Sequence, residues 1–276
     1  MTLFAKTLLI ALALSAACHA QDRPSTAAVN VQILQPALTM PGLDRKRTIR
    51  VYLPPSYATT QRRYPVLYMH DGQNLFDNAT SYAGEWGVDE SLNALAQSQG
   101  LELIVVGIDN GQDKRIHEMS PWKNPRFGEP EGQAYMDFIV KTVKPLIDQQ
   151  FRTQTDRANT AIMGSSLGGL ISHYAVHQYS DTFSKAGIFS PSYWFAAGAY
   201  EIVSAKPLPA RARLYLLGGR KEGEDTVRDL ERMVKLLSSV NGTALDLFTR
   251  VTPHGEHNEA FWREEFPAAV SWLFRP

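Results

Sequence analysis

Residues 160–179 read TAIMGSSLGGLISHYAVHQY, and this stretch decides the fold. Its apolar start predicts a short buried strand, and the residues up to Tyr179 suit a helix. Between them, Gly164 to Gly168 matches the pattern G-x-S-x-G. A strand, a tight turn and a helix in this order are typical of a nucleophile elbow, in which the serine hydroxyl projects from the apex of the turn. Ser166 is therefore the candidate nucleophile. The alternative interpretation is a Gly/Ser-rich cap that only begins a helix.

The chain on both sides of this turn alternates short strands with helices. Residues 48–53 alternate apolar and polar side chains, and residues 29–34 are expected to pair with them as an antiparallel start. Further short apolar runs bounded by Gly, Asp or Pro predict strands over residues 66–69, 103–108, 160–163, 186–189, 214–217 and 245–251. Several of these runs are almost continuously apolar, which is typical of strands covered by helices on both faces.

Helical patterns separate these strands. Apolar residues recur at spacings of three and four over residues 225–240, and residues 133–151 follow the same pattern with an expected kink at Pro145. Residues 258–274 close the chain as an aromatic-rich helix. Alternating strands and helices predict an α/β fold, with a doubly wound, mostly parallel sheet and an antiparallel N-terminal start. The sequence has no repeat or linker that would divide it, so one domain is expected over residues 21–276.

The composition excludes several classes of function. The chain has 276 residues, with 28 Lys and Arg against 28 Asp and Glu. This neutral balance argues against nucleic acid or an anionic membrane surface as the main partner. A single cysteine, Cys18, cannot form an internal disulfide, an iron–sulfur centre or a Cys-rich zinc site. His173 and His177 have the spacing of a zinc pair, but Tyr174 stands where that motif needs Glu. We therefore expect neither a metal nor a cofactor.

The N-terminal residues 1–20 have the layout of a secretory signal peptide. Lys6 precedes an apolar stretch over residues 7–17, and small residues follow it, with cleavage expected after Ala20. The stretch is too short for a membrane span. These features predict a periplasmic or secreted protein. In the minority interpretation, Ser-Ala-Ala-Cys ending at Cys18 is a lipidation site, which would anchor the protein through a lipid.

A serine hydroxyl needs a neighbouring base to take its proton. In proteins with a G-x-S-x-G elbow the acid and then the histidine follow the serine along the chain. That order reduces the seven histidines to His254 and His257, which lie in the loop between the last predicted strand and the last predicted helix. His257, directly before the helix, is favoured, and His254 remains the alternative.

The acid of such a site orients the imidazole and stabilises its protonated form. It is expected just after the strand at residues 214–217, where the sequence continues Gly-Gly-Arg-Lys-Glu-Gly-Glu-Asp. Glu222 is favoured. Asp225 and Glu224 remain alternatives, since acidic residues also suit the first turn of the helix that follows.

Five short segments together resemble a known family. They are HDGQNLFD (70–77), VVGIDNG with Arg115 and Glu118 (105–118), GSSLGG (164–169), FSPSYW (189–194) and GEHNEAFW (255–262). With them, nearly the whole chain after the signal peptide resembles the esterase family that includes esterase D and enterochelin esterase-like members of the α/β-hydrolase superfamily. The resemblance implies a serine esterase. It also implies that the backbone N–H groups of Gln73 and Leu167 form the oxyanion hole, which stabilises charge that develops in the transition state.

Three further residues are candidates for the substrate pocket. Arg115 has the donor geometry to clamp an anionic or phenolic group, and its alternative role is an ion pair with Glu118. Trp86 and Trp194 are candidate walls of an aromatic acyl pocket, with buried packing as the alternative for each.

The favoured function is an exported serine hydrolase of carboxylic esters that works through an acyl-enzyme and has a small-molecule substrate. The resemblance allows a siderophore-like or simple ester, which we favour, or a feruloyl or acetyl ester on plant polysaccharide. Acyl transfer is a further alternative on the same chemistry. The alternative of another class is a non-catalytic periplasmic binding protein with the same fold.

Overall fold

A computed structural model of the chain describes residues 23–275. The predicted signal peptide and Cys18 lie outside the described residues. Ten strands occur in the described part, and in chain order they are β1 Val31–Ile33, β2 Leu38–Met40, β3 Arg45–Arg47, β4 Ile49–Tyr52, β5 Val66–His70, β6 Ile104–Ile108, β7 Thr160–Ser165, β8 Lys185–Phe189, β9 Ala212–Gly219 and β10 Leu245–Thr252.

Eight of these strands form the central sheet, in the order β1-β4-β6-β5-β7-β8-β9-β10. The pairs β1–β4 and β4–β6 are antiparallel, and every pair from β6 to β10 is parallel. The predicted mostly parallel sheet with an antiparallel start is therefore confirmed. The separate hairpin of β2 and β3 was not predicted, because strands of three residues are too short to show a period.

Helices cover both faces of the sheet. They are α1 Val88–Gln99, α2 Arg115–Glu118, α3 Gly132–Phe138, α4 Lys144–Gln150, α5 Leu167–Gln178, α6 Gly198–Ala205, α7 Glu224–Asn241 and α8 Glu259–Leu273. The helix expected over residues 133–151 is interrupted by a π turn, Ile139–Val143, directly before α4. The cause is Pro145, which has no backbone N–H to continue the regular hydrogen-bond ladder.

The hydrophobic core has two parts, one on each face of the sheet. Along β5, Val66 and Tyr68 pack in one part, and Leu67 and Met69 pack in the other. All four side chains are fully or almost fully buried. This explains why the central strands are continuously apolar rather than alternating. The two layers share one sheet, so the described residues form a single domain.

The carboxyl ends of the parallel strands lie at one edge of the sheet, where ligands bind in open α/β folds. The segments that follow β5, β7, β9 and β10 carry the residues predicted for the site. Within residues 23–275, no helix is both long and apolar enough to cross a membrane.

Candidate active site

Ser166 lies at the apex of a tight turn between β7 and α5. Its backbone has φ 60° and ψ −121°, a conformation that residues other than glycine rarely adopt. Its N–H donates to the carbonyl of Phe189 at 2.9 Å. Close approach requires the glycine at position 164. A Cβ there would lie 2.8 Å from the carbonyl carbon of Gly168. The local sequence therefore holds the serine in a strained turn, as is common at functional sites.

Glu222 and His257 are directly hydrogen-bonded. The Nδ1 of His257 lies 2.8 Å from a carboxylate oxygen of Glu222, whose side chain is buried. The other carboxylate oxygen accepts from the Gly219 N–H and from the Ser190 hydroxyl, each at 2.7 Å. Trp262 in turn donates its indole N–H to the Ser190 oxygen at 2.9 Å. This chain of contacts fixes the carboxylate, which fixes the orientation of the imidazole.

The alternative acids and the alternative base lie elsewhere. Asp225 is exposed and pairs with Arg228 at 2.7 Å, and Glu224 is exposed at the start of α7. His254 is exposed and contacts Glu264 at 3.2 Å. Of the candidate bases and acids, His257 and Glu222 contact each other, and the Glu222 carboxylate is buried.

Ser166 and His257 both line a cavity of about 850 Å³ at this edge of the sheet. No hydrogen bond joins the two side chains in the part of the chain that the structure describes. Instead, the Ser166 hydroxyl lies 3.2 Å from the hydroxyl of Ser192. Catalytic hydrogen bonds are often long before substrate binds and tighten in the complex. The arrangement therefore places a serine, an imidazole and space for a substrate together.

The turn after β5 and the start of α5 position the two backbone N–H groups predicted to form the oxyanion hole. The backbone of Asp71 has a left-handed conformation, with φ 57°. The next residue must be glycine, because a Cβ on Gly72 would lie 2.7 Å from the side chain of Asp109. This geometry begins a short 3₁₀ helix, so the N–H of Gln73 is in its first turn. Leu167 is the first residue of α5. N–H groups at these positions have no partner within their own helices and remain available to an oxyanion.

Arg115 holds this turn through Asp71. Its Nε and Nη2 donate to the two carboxylate oxygens at 2.6 and 2.9 Å, and Asn110 donates to the same carboxylate at 2.6 Å. Burial acts to raise the pKa of Asp71, but the Arg115 charge and these hydrogen bonds hold it below its ordinary value. Glu118 pairs with Arg45 and Arg47, so the alternative pairing of Arg115 with Glu118 is wrong. Arg115 lines the cavity, with its charge compensated by Asp71.

We expect Arg115→Ala to lower the free energy of unfolding by about 3 kcal/mol, since it leaves the buried Asp71 carboxylate without its counter-charge. The kcat for ester hydrolysis should fall as well, because the turn that carries Gln73 loses its support. Thermal unfolding and steady-state kinetics measure the two effects, with the exposed Arg126→Ala as the control. A rise in KM with unchanged stability would instead indicate that Arg115 clamps the substrate.

The two candidate tryptophans lie in different places. Trp86 is buried, lines the cavity and stacks on Phe189 with a ring separation of 5.4 Å. Trp194 is 60% exposed and borders a separate, smaller cavity. The prediction that Trp194 walls the pocket around Ser166 is therefore wrong. The 3₁₀ turn Tyr193–Phe195 buries its two outer residues and points the middle one to solvent.

The remaining histidines and acids of interest have structural partners. His173 and His177 are buried in α5, bonded to the carbonyls of Ala199 and Lys206, and burial lowers the pKa of both. His70 contacts the Tyr135 hydroxyl at 2.7 Å, and burial lowers its pKa to about 4. Among the described residues, one cluster of three acidic residues has carboxylate oxygens within 4.8 Å of one another: Glu85, Asp89 and Glu90. Two of these carboxylates accept hydrogen bonds from residues 26–28.

Sequence reasoning missed the functional contacts of Ser190 and Trp262. Both lie within segments that carried the family resemblance, FSPSYW and GEHNEAFW. Ser190 also has a positive φ of 44°, which a sequence does not reveal. The spacing of 72 residues between the two partners left no local signal of their contact.

Comparison with known proteins identifies the family. The model of the Esterase family, described as "Putative esterase", matches residues 41–273. The chain belongs to the esterase family. Membership supports carboxylic ester hydrolysis as the class of reaction.

Known proteins that are similar to this chain include the following three. The uncharacterized protein YbbA of Bacillus subtilis (strain 168) is 29% identical over 242 residues, which cover 83% of this chain and 92% of that protein. An endo-1,4-beta-xylanase/feruloyl esterase of Xylanibacter ruminicola is 24% identical over 217 residues, covering 76% of this chain and 27% of that longer protein. The enterobactin esterase FES of Shigella flexneri, solved with enterobactin, matches with a TM-score of 0.73 at 20% identity, covering 92% of this chain and 62% of that one. The last comparison establishes the shared fold.

Proposed function

We propose that this chain is an exported serine hydrolase of carboxylic esters that works through an acyl-enzyme. One observation carries the proposal: Ser166, at its strained turn, and His257, held by the buried Glu222, line the same cavity. The order of serine, acid and histidine along the chain is the one that accompanies this kind of elbow. Export rests on the sequence of residues 1–20.

In the proposed reaction, Nε2 of His257 accepts the Ser166 proton while the serine oxygen attacks the ester carbonyl carbon. The backbone N–H groups of Gln73 and Leu167 stabilise the oxyanion that forms. His257 then gives its proton to the departing alcohol, which leaves an acyl group on Ser166. Water repeats the sequence with the same base and releases the acid. Throughout, Glu222 keeps Nδ1 protonated and stabilises the charged imidazole.

The cavity bears on the substrate. Its volume of about 850 Å³ lies within the range of pockets that enclose drug-sized ligands, and Trp86 and Trp262 supply aromatic surface. These features suit a small ester, and we favour a siderophore-like or simple carboxylic ester, in line with the enterobactin esterase whose fold the chain shares. A feruloyl ester is the second candidate, supported by the similarity to the xylanase/feruloyl esterase.

A fluorophosphonate probe tests the proposal, since an activated serine oxygen displaces fluoride from its phosphorus and keeps the label. We expect one label per chain, located by peptide mass spectrometry at Ser166, and none in Ser166→Ala. The neighbouring Ser165→Ala is the matched control and should still be labelled. The intact mass of the protein recovered from the extracytoplasmic fraction should also equal that of the chain without residues 1–20. Absence of labelling, or labelling of another residue, contradicts the proposed nucleophile.

A further inference from the structure

Residues 23–28 run along the loop that forms one wall of the active-site cavity. Three hydrogen-bonded pairs attach this segment to the loop and to the first turn of α1: Ser25 with Asp77 at 2.9 Å, Thr26 with Glu85 at 3.0 Å and Ala28 with Asp89 at 2.7 Å. The contact is reciprocal, because the N–H of Asn78 donates to the Thr26 hydroxyl at 2.8 Å. These bonds hold the segment next to residues 80–83, which line the cavity.

The segment brings Arg23 to the cavity. Its guanidinium donates to the Asn78 side chain and to the hydroxyl and carbonyl oxygens of Ser81, and Arg23 itself lines the cavity together with Ser166. These contacts use three of the five N–H donors that a guanidinium offers. The remaining donors are available to another acceptor.

The charge of Arg23 differs from that of Arg115 in one respect. Arg115 faces Asp71 through two short hydrogen bonds, so that pair adds little net charge to the cavity. The acceptors of Arg23 are neutral, and within residues 23–275 no carboxylate lies within 4.0 Å of its guanidinium. The other carboxyl group of the lining is Glu259, and burial raises its pKa. Among residues 23–275, the guanidinium of Arg23 therefore has no carboxylate in direct contact, in contrast to that of Arg115.

We propose that Arg23 contacts the substrate and selects esters that carry an anionic group, such as a carboxylate or an ionised phenol. This inference rests on the proposed function and assigns part of the substrate site to the N-terminal segment. The cation is held by the protein before the substrate arrives, which reduces the entropy lost on binding. Guanidinium donors form charge-assisted hydrogen bonds to carboxylate or phenolate oxygens. A neutral ester gains none of this interaction.

The test compares matched anionic and neutral esters in wild type and Arg23→Gln. One pair varies the acyl group, p-nitrophenyl hexanoate against the mono-p-nitrophenyl ester of adipic acid. The other varies the alcohol, phenyl acetate against p-carboxyphenyl acetate. For at least one pair, the ratio of kcat/KM for the anionic ester to that for the neutral ester should fall roughly fourfold in Arg23→Gln, the size of an accessible ion pair. Because salt screens such a contact, the difference between the enzymes should vanish at high ionic strength.

The control is Arg228→Gln, which removes the same charge from the exposed face of α7 and should leave both ratios unchanged. Equal ratios in wild type and Arg23→Gln for both pairs overturn the role of Arg23 while the esterase proposal stands. If wild type hydrolyses neither member of either pair, the proposed function fails and this inference fails with it. A fall in the ratio that persists at high salt also contradicts an ionic contact.

Discussion

Replacing Ser166 by alanine is expected to lower kcat for p-nitrophenyl esters by a factor on the order of 10⁶. The hydroxyl oxygen is the atom proposed to form the acyl-enzyme, and alanine offers nothing in its place. His257 cannot compensate, because its Nδ1 is bonded to Glu222 and its remaining nitrogen would have only water to activate. The residual rate then reflects binding and the oxyanion donors alone.

The fold should survive this change, which makes the result interpretable. Among residues 23–275, the Ser166 side chain makes one hydrogen bond, with Ser192 at 3.2 Å, and alanine keeps the Cβ that the turn already accommodates. Steady-state hydrolysis and thermal unfolding are measured together for Ser166→Ala and for the adjacent Ser165→Ala. The second variant should keep most of its activity. Turnover by Ser166→Ala within tenfold of wild type would rule out Ser166 as the nucleophile.

The parts of the fold that the sequence predicted are those with a local signal. The strand–turn–helix around Ser166 is readable because apolar run, glycines and helical spacing are contiguous. The same holds for α7, where the predicted residues 225–240 differ by one residue at each end from Glu224–Asn241. The short β2–β3 hairpin has no such signal. Its Arg45 and Arg47 pair with Glu118, more than 70 residues away. The hairpin therefore has tertiary contacts that its own short sequence does not reveal.

The site shows the same division. Motifs indicated where Glu222 and His257 lie in the chain, but the geometry depends on partners that no spacing reveals. Arg115 contacts Asp71 from 44 positions away, and the orientation of Trp194 depends on the path of a single 3₁₀ turn. Arg23 lies next to the expected cleavage point, in a segment that shows no periodic pattern, and its position follows from hydrogen bonds to a distant loop. The pairing of Arg115 with Asp71 and the contacts of Arg23 therefore lay beyond sequence reasoning.

The second large effect is expected for Glu222→Gln, which keeps the shape of the side chain and removes its charge. The N–H of Gly219 is a fixed donor at 2.7 Å, so the glutamine carbonyl oxygen must remain on that side. Its amide NH₂ then faces His257 and donates to Nδ1, which forces the proton onto Nε2. An imidazole in that tautomer cannot accept the Ser166 proton. The charged imidazole also loses its counter-charge in the transition state.

For Glu222→Gln we expect kcat to fall about 10⁴-fold at neutral pH, with a smaller change in KM, because the lost interaction belongs to the transition state. Asp225→Asn is the matched control: its carboxylate is exposed and pairs with Arg228, so kcat should stay within twofold of wild type. The unfolding temperature of each variant is measured alongside, since Glu222 is buried. If Asp225→Asn lost activity while Glu222→Gln retained it, the acid of the site would be assigned to the helix start, and the hydrogen bond between Glu222 and His257 would have only a structural role.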